Sequence, residues 1–166
     1  MTIKTTAQML LLSGVVTCVC TTSGFAAGGV HCQDVGGGVL TNFLDKSQCA
    51  ANSIGLCTAG TSSGDIRGGV GVQVLGINGN VYHVHHFWVT DSGATIFVKD
   101  AFLTTFPTSD PNRVLADYID GVEITGGTGR FEGATGTVFA FGAADLKLGQ
   151  ITLRYAGTVC FRSVPD

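Results

Sequence analysis

The residues whose types and spacing could do chemistry are concentrated in Tyr82-His83-Val84-His85-His86-Phe87-Trp88. On a β-strand, His83 and His85 share a face with Val81, Phe87 and Val89, while Tyr82, His86, Trp88 and Thr90 take the other. Two imidazoles two residues apart on a strand can converge on one metal from the same side. No third ligand is evident near them and the carboxylates do not complete a cupin-type set, so no metal is expected and His83 with His85 is kept as an alternative. A second reading follows if one face of this strand turns into a barrel interior. Neutral histidine with the aromatic residues of that face, Tyr82 and Trp88 on one or Phe87 on the other, would then line an amphipathic pocket for a small apolar ligand, with one or two polar groups to orient it. The plainest reading is a half-buried strand whose histidines hydrogen-bond within the wall or at an oligomer surface.

Two carboxylates lie on otherwise apolar faces. Asp100 falls in phase with Ile96, Val98 and Phe102, and Asp120 with Ala116, Tyr118, Val122 and Ile124. Burial would disfavour the charged form of either and move it toward general acid or base use, unless a bulge turns the side chain out to water. Tyr118 and Tyr155 complete the polar groups that could face an interior, Tyr155 through its place in the alternating run Ile151, Leu153, Tyr155, Gly157, Val159, Phe161. No G-x-S-x-G elbow is present and the catalytic residues are unknown; no cofactor is expected. Gly127-Thr128-Gly129 does not open a helix and its next glycine is one position late for a dinucleotide fingerprint.

These residues must be positioned by strands. Twenty-five glycines, three prolines and 13% charged residues in a chain of 166 that is 45% hydrophobic exclude disorder and a helical bundle. Asn78-Gly79-Asn80 marks a hairpin of the type I′ kind between Gly64–Gly76 and Val81–Thr90. Asp91-Ser92-Gly93 turns the chain into Ala94–Thr105, a proline-bearing loop covers Phe106–Arg113, and Val114–Thr125 is a strand bent at Gly121. Thr135–Phe141 and Gln150–Phe161 follow as the last two strands. The net charge of -3 with no basic cluster excludes nucleic acid as a partner.

The chain begins with Lys4, an apolar core over Met9–Val16, and Ser23-Gly24-Phe25-Ala26, the pattern of a signal peptide over residues 1–26 cleaved after Ala26. The apolar run is too short to span a bilayer. A lipoprotein cysteine at Cys18 is the weaker alternative. The expected destination is secreted or periplasmic, which makes disulfides the default for the four cysteines left after Cys18 and Cys20 are removed. No C-x-x-C spacing supports a thiolate zinc site. Residues 27–60, rich in Gly, Ser and Asn, read as an irregular segment with a short helical turn near Asn42–Cys49, ahead of a domain over 61–166.

Between two of the late strands runs Gly126-Gly127-Thr128-Gly129-Arg130-Phe131-Glu132-Gly133-Ala134-Thr135-Gly136. This stretch resembles the Gly turn of the allene oxide cyclase and dirigent β-barrel superfamily, with Gly126, Gly127, Gly129 and Gly133 shaping the turn and Phe131 plugging the core. The resemblance implies an all-β fold, a small closed antiparallel barrel of about eight strands; the irregular N-terminal segment stapled to it by disulfides is read from its composition and cysteines and departs from the plant cyclase pattern. It implies a small hydrophobic ligand in the lumen, an isomerase or cyclase if the protein is an enzyme, and a homotrimer or other homo-oligomer. No match to the cyclase's catalytic positions is found. In such a barrel the first and last strands pair. With Gly64–Gly76 as first strand, that pairing predicts Cys57–Cys160, which leaves Cys32–Cys49. The ligand-lining candidates are Tyr82, His83, His85, His86, Trp88, Asp100, Tyr118 and Tyr155. The alternatives are a structural or interaction protein with a filled barrel, and a metal barrel using His83 and His85.

Overall fold

The computed structural model describes residues 29–162. The segment 1–26 expected to be a signal peptide, with its expected cleavage after Ala26, lies outside the described residues.

Ten strands follow one another: β1 Val30–Phe43, β2 Cys57–Gly64, β3 Gly68–Asn78, β4 Val81–Thr90, β5 Thr95–Val98, β6 Ala101–Pro107, β7 Arg113–Asp117, β8 Val122–Gly127, β9 Thr135–Asp145 and β10 Gln150–Arg162. Single 3-10 turns occupy Lys46–Gln48 and Gly129–Phe131. All pairings are antiparallel. The first half of β4 pairs with β6 and its second half with β5, and β9 divides in the same way between β8 and β7. β5 with β6 and β7 with β8 therefore each fill one place in the wall, and β1 pairs with β10 to close an eight-strand barrel.

Two interruptions let these composite strands bend. Between β5 and β6, the three residues between Val84 and Trp88 face the four between Ala101 and Ile96, so Lys99 and Asp100 form a bulge. Between β7 and β8, Tyr118–Gly121 closes a turn in which the Gly121 amide donates to the Tyr118 carbonyl at 2.9 Å, with Gly121 at φ 72°. The β3–β4 hairpin has a two-residue loop, Gly79-Asn80, because Asn78 stands opposite Val81. Only Gly79 has positive φ (60°), which fits a type II′ turn rather than the type I′ turn expected from Asn-Gly.

The N-terminal segment corrects the sequence reading. Residues 30–43 are not irregular: β1 pairs along its length with β10, from Val30 opposite Arg162 to Asn42 opposite Gln150. Only Leu44–Leu56 remains a loop, and its 3-10 turn lies where a helical turn was expected. The disulfides change accordingly. They are Cys32–Cys160 and Cys49–Cys57, not Cys57–Cys160 and Cys32–Cys49. First-with-last pairing does hold, but the first strand is β1, so Cys32 stands opposite Cys160 in register. Cys57 opens β2 and clips the loop through Cys49.

Strand alternation sends one residue in two inward. One end of the barrel is filled by Val35, Ile66, Trp88, Ile96, Ile124, Phe131, Val138, Tyr155 and Val159. Phe131 is fully buried at that end, where the Gly turn delivers it, and the Arg130 guanidinium lies 4.8 Å over its ring while donating to the Asp65 carbonyl. The other half is lined by Val74, Val84, Ala101, Ala116, Tyr118, Val122 and Leu153.

Candidate functional site

β4 carries most of the chemistry-bearing side chains, and the wall divides them. Tyr82, Val84, His86, Trp88 and Thr90 point inward; Val81, His83, His85, Phe87 and Val89 point outward. The choice follows from β3, whose inward positions Val70, Val72 and Val74 lie opposite Trp88, His86 and Val84. The inner face of β4 thus meets valines while its outer face meets Gln73 and glycines.

Outside, the β5–β6 bulge presents Asp100 to both outward histidines. His85 Nδ1 lies 2.6 Å from Asp100 Oδ1 and His83 Nε2 lies 3.4 Å from Oδ2. Each histidine takes a different oxygen of one carboxylate, so the carboxylate sits between them. Among the described residues no group of three His, Cys, Asp or Glu is placed to hold a metal ion. His83 also stacks on Phe102 at 5.1 Å, and His85 meets Phe87 edge-on at 4.9 Å. Asp100 and Asp120 are both exposed, the first turned out by the bulge and the second by the Tyr118–Gly121 turn. Neither carboxylate faces the interior.

Inside, the half of the barrel away from Phe131 holds a cavity of about 200 Å³. Its walls include Val39, Thr41, Thr58, Val72, Val74, Tyr82, Val84, Leu103, Ala116, Tyr118, Ile151 and Leu153, and its mouth is framed by Phe43, Leu56 and Leu146. No charged residue lines it. The loop that supplies Leu56 is held in place by two backbone bonds to Val74, from the Ile54 amide to its carbonyl at 2.9 Å and from its amide to the Leu56 carbonyl at 3.0 Å. Beyond Tyr118 lies an inner chamber of about 50 Å³ against His86, Trp88, Val122, Val138 and Tyr155.

Tyr118 borders both spaces, and its hydroxyl is 2.9 Å from His86 Nε2. Burial holds the imidazole well below its ordinary range, down to about 4, with the neighbouring His85 charge pushing the same way. His86 is therefore neutral at physiological pH and has one donor and one acceptor nitrogen. Burial likewise pushes the Tyr118 phenol up, so it remains protonated. His86 Nδ1 and Thr58 Oγ1 are buried with no hydrogen-bond partner among the described residues. Trp88 and Tyr155 are spoken for: Trp88 Nε1 donates to Ser62 Oγ at 2.9 Å, while the Tyr155 hydroxyl accepts from the Ile66 amide and donates to the Ser63 carbonyl, both at 2.9 Å. Chemically, the arrangement can enclose an apolar molecule and offer it neutral hydrogen-bonding groups.

Of the residues singled out in the sequence, Tyr82, His86, Trp88, Tyr118 and Tyr155 face the lumen or its inner chamber. His83, His85 and Asp100 are brought together, but on the outer wall. Thr58 and Thr41 were missed because they fall on β1 and β2, where no strand was read. A larger concavity of about 960 Å³ is an open saddle on the outer wall over Gly37, Gly38, Phe139, Phe141 and Arg154.

No family model and no curated protein matches the sequence. Among solved structures, the chain is similar to the pterocarpan synthase dirigent protein GePTS1, at 13% identity and a TM-score of 0.37, over 82% of this chain and 88% of that one.

Proposed function

We propose that the protein is an exported barrel that binds a small hydrophobic molecule in its lumen, where any reaction would be an isomerisation or cyclisation steered by enclosure. The observation that carries this is the uncharged cavity of about 200 Å³, walled by aliphatic and aromatic side chains and open at one end of the barrel. Buried apolar cavities of about 150 Å³ in other proteins accept a molecule the size of benzene. The space here suits a single ring or a short branched chain, which a rigid wall would hold in one orientation. Two disulfides among the described cysteines fit an oxidising compartment, and residues 1–26 have the pattern of an export signal.

Ala116 lines the cavity and is only 1% exposed. An Ala116→Phe variant should fill the cavity while keeping the barrel folded. Native mass spectrometry of the oxidised protein, followed by solvent extraction, is expected to find a small apolar molecule on the wild type and none on the variant. Equal retention by both would sink lumen binding.

A second reading has its own observation. The outer wall carries exposed Phe87, Phe97, Phe102, Phe139 and Phe141, and Phe87 stands across from Phe97 by the β4–β5 register. Such a face suits association with further copies of the chain, a homotrimer or another homo-oligomer. Sedimentation equilibrium is expected to give a multiple of the protomer mass; a monomer at high concentration would remove this reading.

A further inference from the structure

The lumen is interrupted along its length, and the interruption bears on what it holds if it is the binding site proposed above. Val39, Val72, Tyr118 and Leu153 border both the outer cavity and the inner chamber, so these four side chains form the constriction between them. Tyr118 is the largest of them and comes from the far wall. Val39 and Val72 belong to β1 and β3, the strands on either side of β2, and the place shared by β7 and β8, where Tyr118 sits, is half-way round the eight-strand wall from β2. The phenol therefore reaches across the passage.

Tyr118 is held from both ends. Its amide donates to the Ala140 carbonyl at 2.9 Å and its carbonyl accepts from the Gly121 amide at 2.9 Å, which ties its backbone to β9 and closes the turn. Its hydroxyl lies 2.9 Å from His86 Nε2 on β4, with the two rings 5.2 Å apart. Only 3% of the residue is exposed, and a ring packed so closely cannot swing aside without moving its neighbours. It is a fixed partition. The outer cavity of about 200 Å³ takes one ring, whereas the chamber of about 50 Å³ behind the partition is too small for another.

We propose that Tyr118 is the size-determining residue of the lumen: its ring stops the ligand in the outer cavity, limits it to an apolar molecule of about one ring, and keeps it out of contact with His86. Selection is then by length, set by one side chain.

Phenol and 4-phenylphenol, both neutral at pH 7, are titrated into the oxidised wild type, Tyr118→Phe and Tyr118→Leu, with intermolecular NOEs read at the valine and leucine methyls. The two variants lose the same hydrogen bond to His86 and differ in whether a ring remains. In wild type and Tyr118→Phe, phenol is expected to contact Val74, Val84 and Leu103, which border only the outer cavity, and not Val122 or Val138, which border only the inner chamber. Tyr118→Leu is expected to extend the contacts to Val122 and Val138, and to bind 4-phenylphenol at least about tenfold more tightly than Tyr118→Phe does. Contacts from phenol to Val122 or Val138 in the wild type, or equal affinities of the two variants for 4-phenylphenol, would overturn the role of Tyr118 while lumen binding stands. The wild-type contacts carry the test by themselves should Tyr118→Leu fail to fold. If phenol contacts no lumen methyl in any of the three proteins, lumen binding falls and the partition falls with it.

Discussion

His86 is an imidazole largely buried in the wall, with the Tyr118 hydroxyl at one nitrogen and, among the described residues, no partner at the other. Its pKa is lowered from 6.5 to about 4 by burial, so below pH 6.5 the unfolded chain takes up a proton that the folded chain refuses. The contribution of this residue to stability is thus complete above about pH 6.5 and is lost as the pH falls toward 4, by roughly 3 kcal/mol over the window. Denaturant unfolding of wild type and His86→Leu between pH 7 and pH 4 should show that loss as a difference between their slopes, the variant being the flatter. Parallel curves would mean that His86 is not sealed from solvent. The sequence showed that His86 and Trp88 share a face opposite His83 and His85, but not which face turns inward. Both carry a mixture of apolar and polar groups, so hydrophobic alternation along β4 does not discriminate between them. The decision lies in the neighbouring strand, through Val70, Val72 and Val74. Asp100 shows the same limit: its phase with Ile96 and Val98 suggested burial, and one inserted residue at Lys99-Asp100 reversed it.

At the scale of the element, glycine sets how the strands curve. Gly157 in β10 faces the backbone of β9 so closely that an added Cβ would strike the Thr137 carbonyl oxygen and Val138 Cα, neither of which can yield without moving the strand. Gly69 in β3 has nothing within 4 Å of the same position. Gly157→Ala is therefore expected to destabilise the barrel by about 1–3 kcal/mol, and Gly69→Ala to change it by less than about 0.5 kcal/mol. Chemical denaturation of the two variants checks this, and equal effects would contradict the close approach of β9 and β10. Strands bounded by clear turns were legible, including β4, β9 and β10. β1 was not, because Gly36-Gly37-Gly38 interrupts the alternation of Val35, Val39, Thr41 and Phe43 with positions that have no side chain to count. Missing β1 displaced the first strand of the barrel, and the disulfide pairing moved with it. The turn from Gly126 to Gly136 was legible because it depends on local backbone geometry: Gly129 and Gly133 have φ of 57° and 66°, and Phe131 is carried into the core between them.

For the whole molecule, the deciding feature is that the barrel is filled at one end and hollow at the other. Phe131, Ile66 and Trp88 close the first end, while small residues such as Ala101, Ala116 and Ala144 leave room in the second. Neither fact follows from strand patterning, since an inward alanine and an inward phenylalanine count alike in the alternation, yet their difference in volume makes the cavity. Among the described residues, no helix is long and apolar enough to cross a membrane. The most direct test of a ligand-binding lumen is methyl NMR of the oxidised protein during titration with cyclohexanol. Shifts concentrated on the methyls of Val74, Val84, Leu103, Ala116 and Leu153, and abolished by Ala116→Phe, are the predicted result. No shift up to the solubility limit, or shifts confined to outer-wall methyls such as Val89 and Leu115, would contradict it.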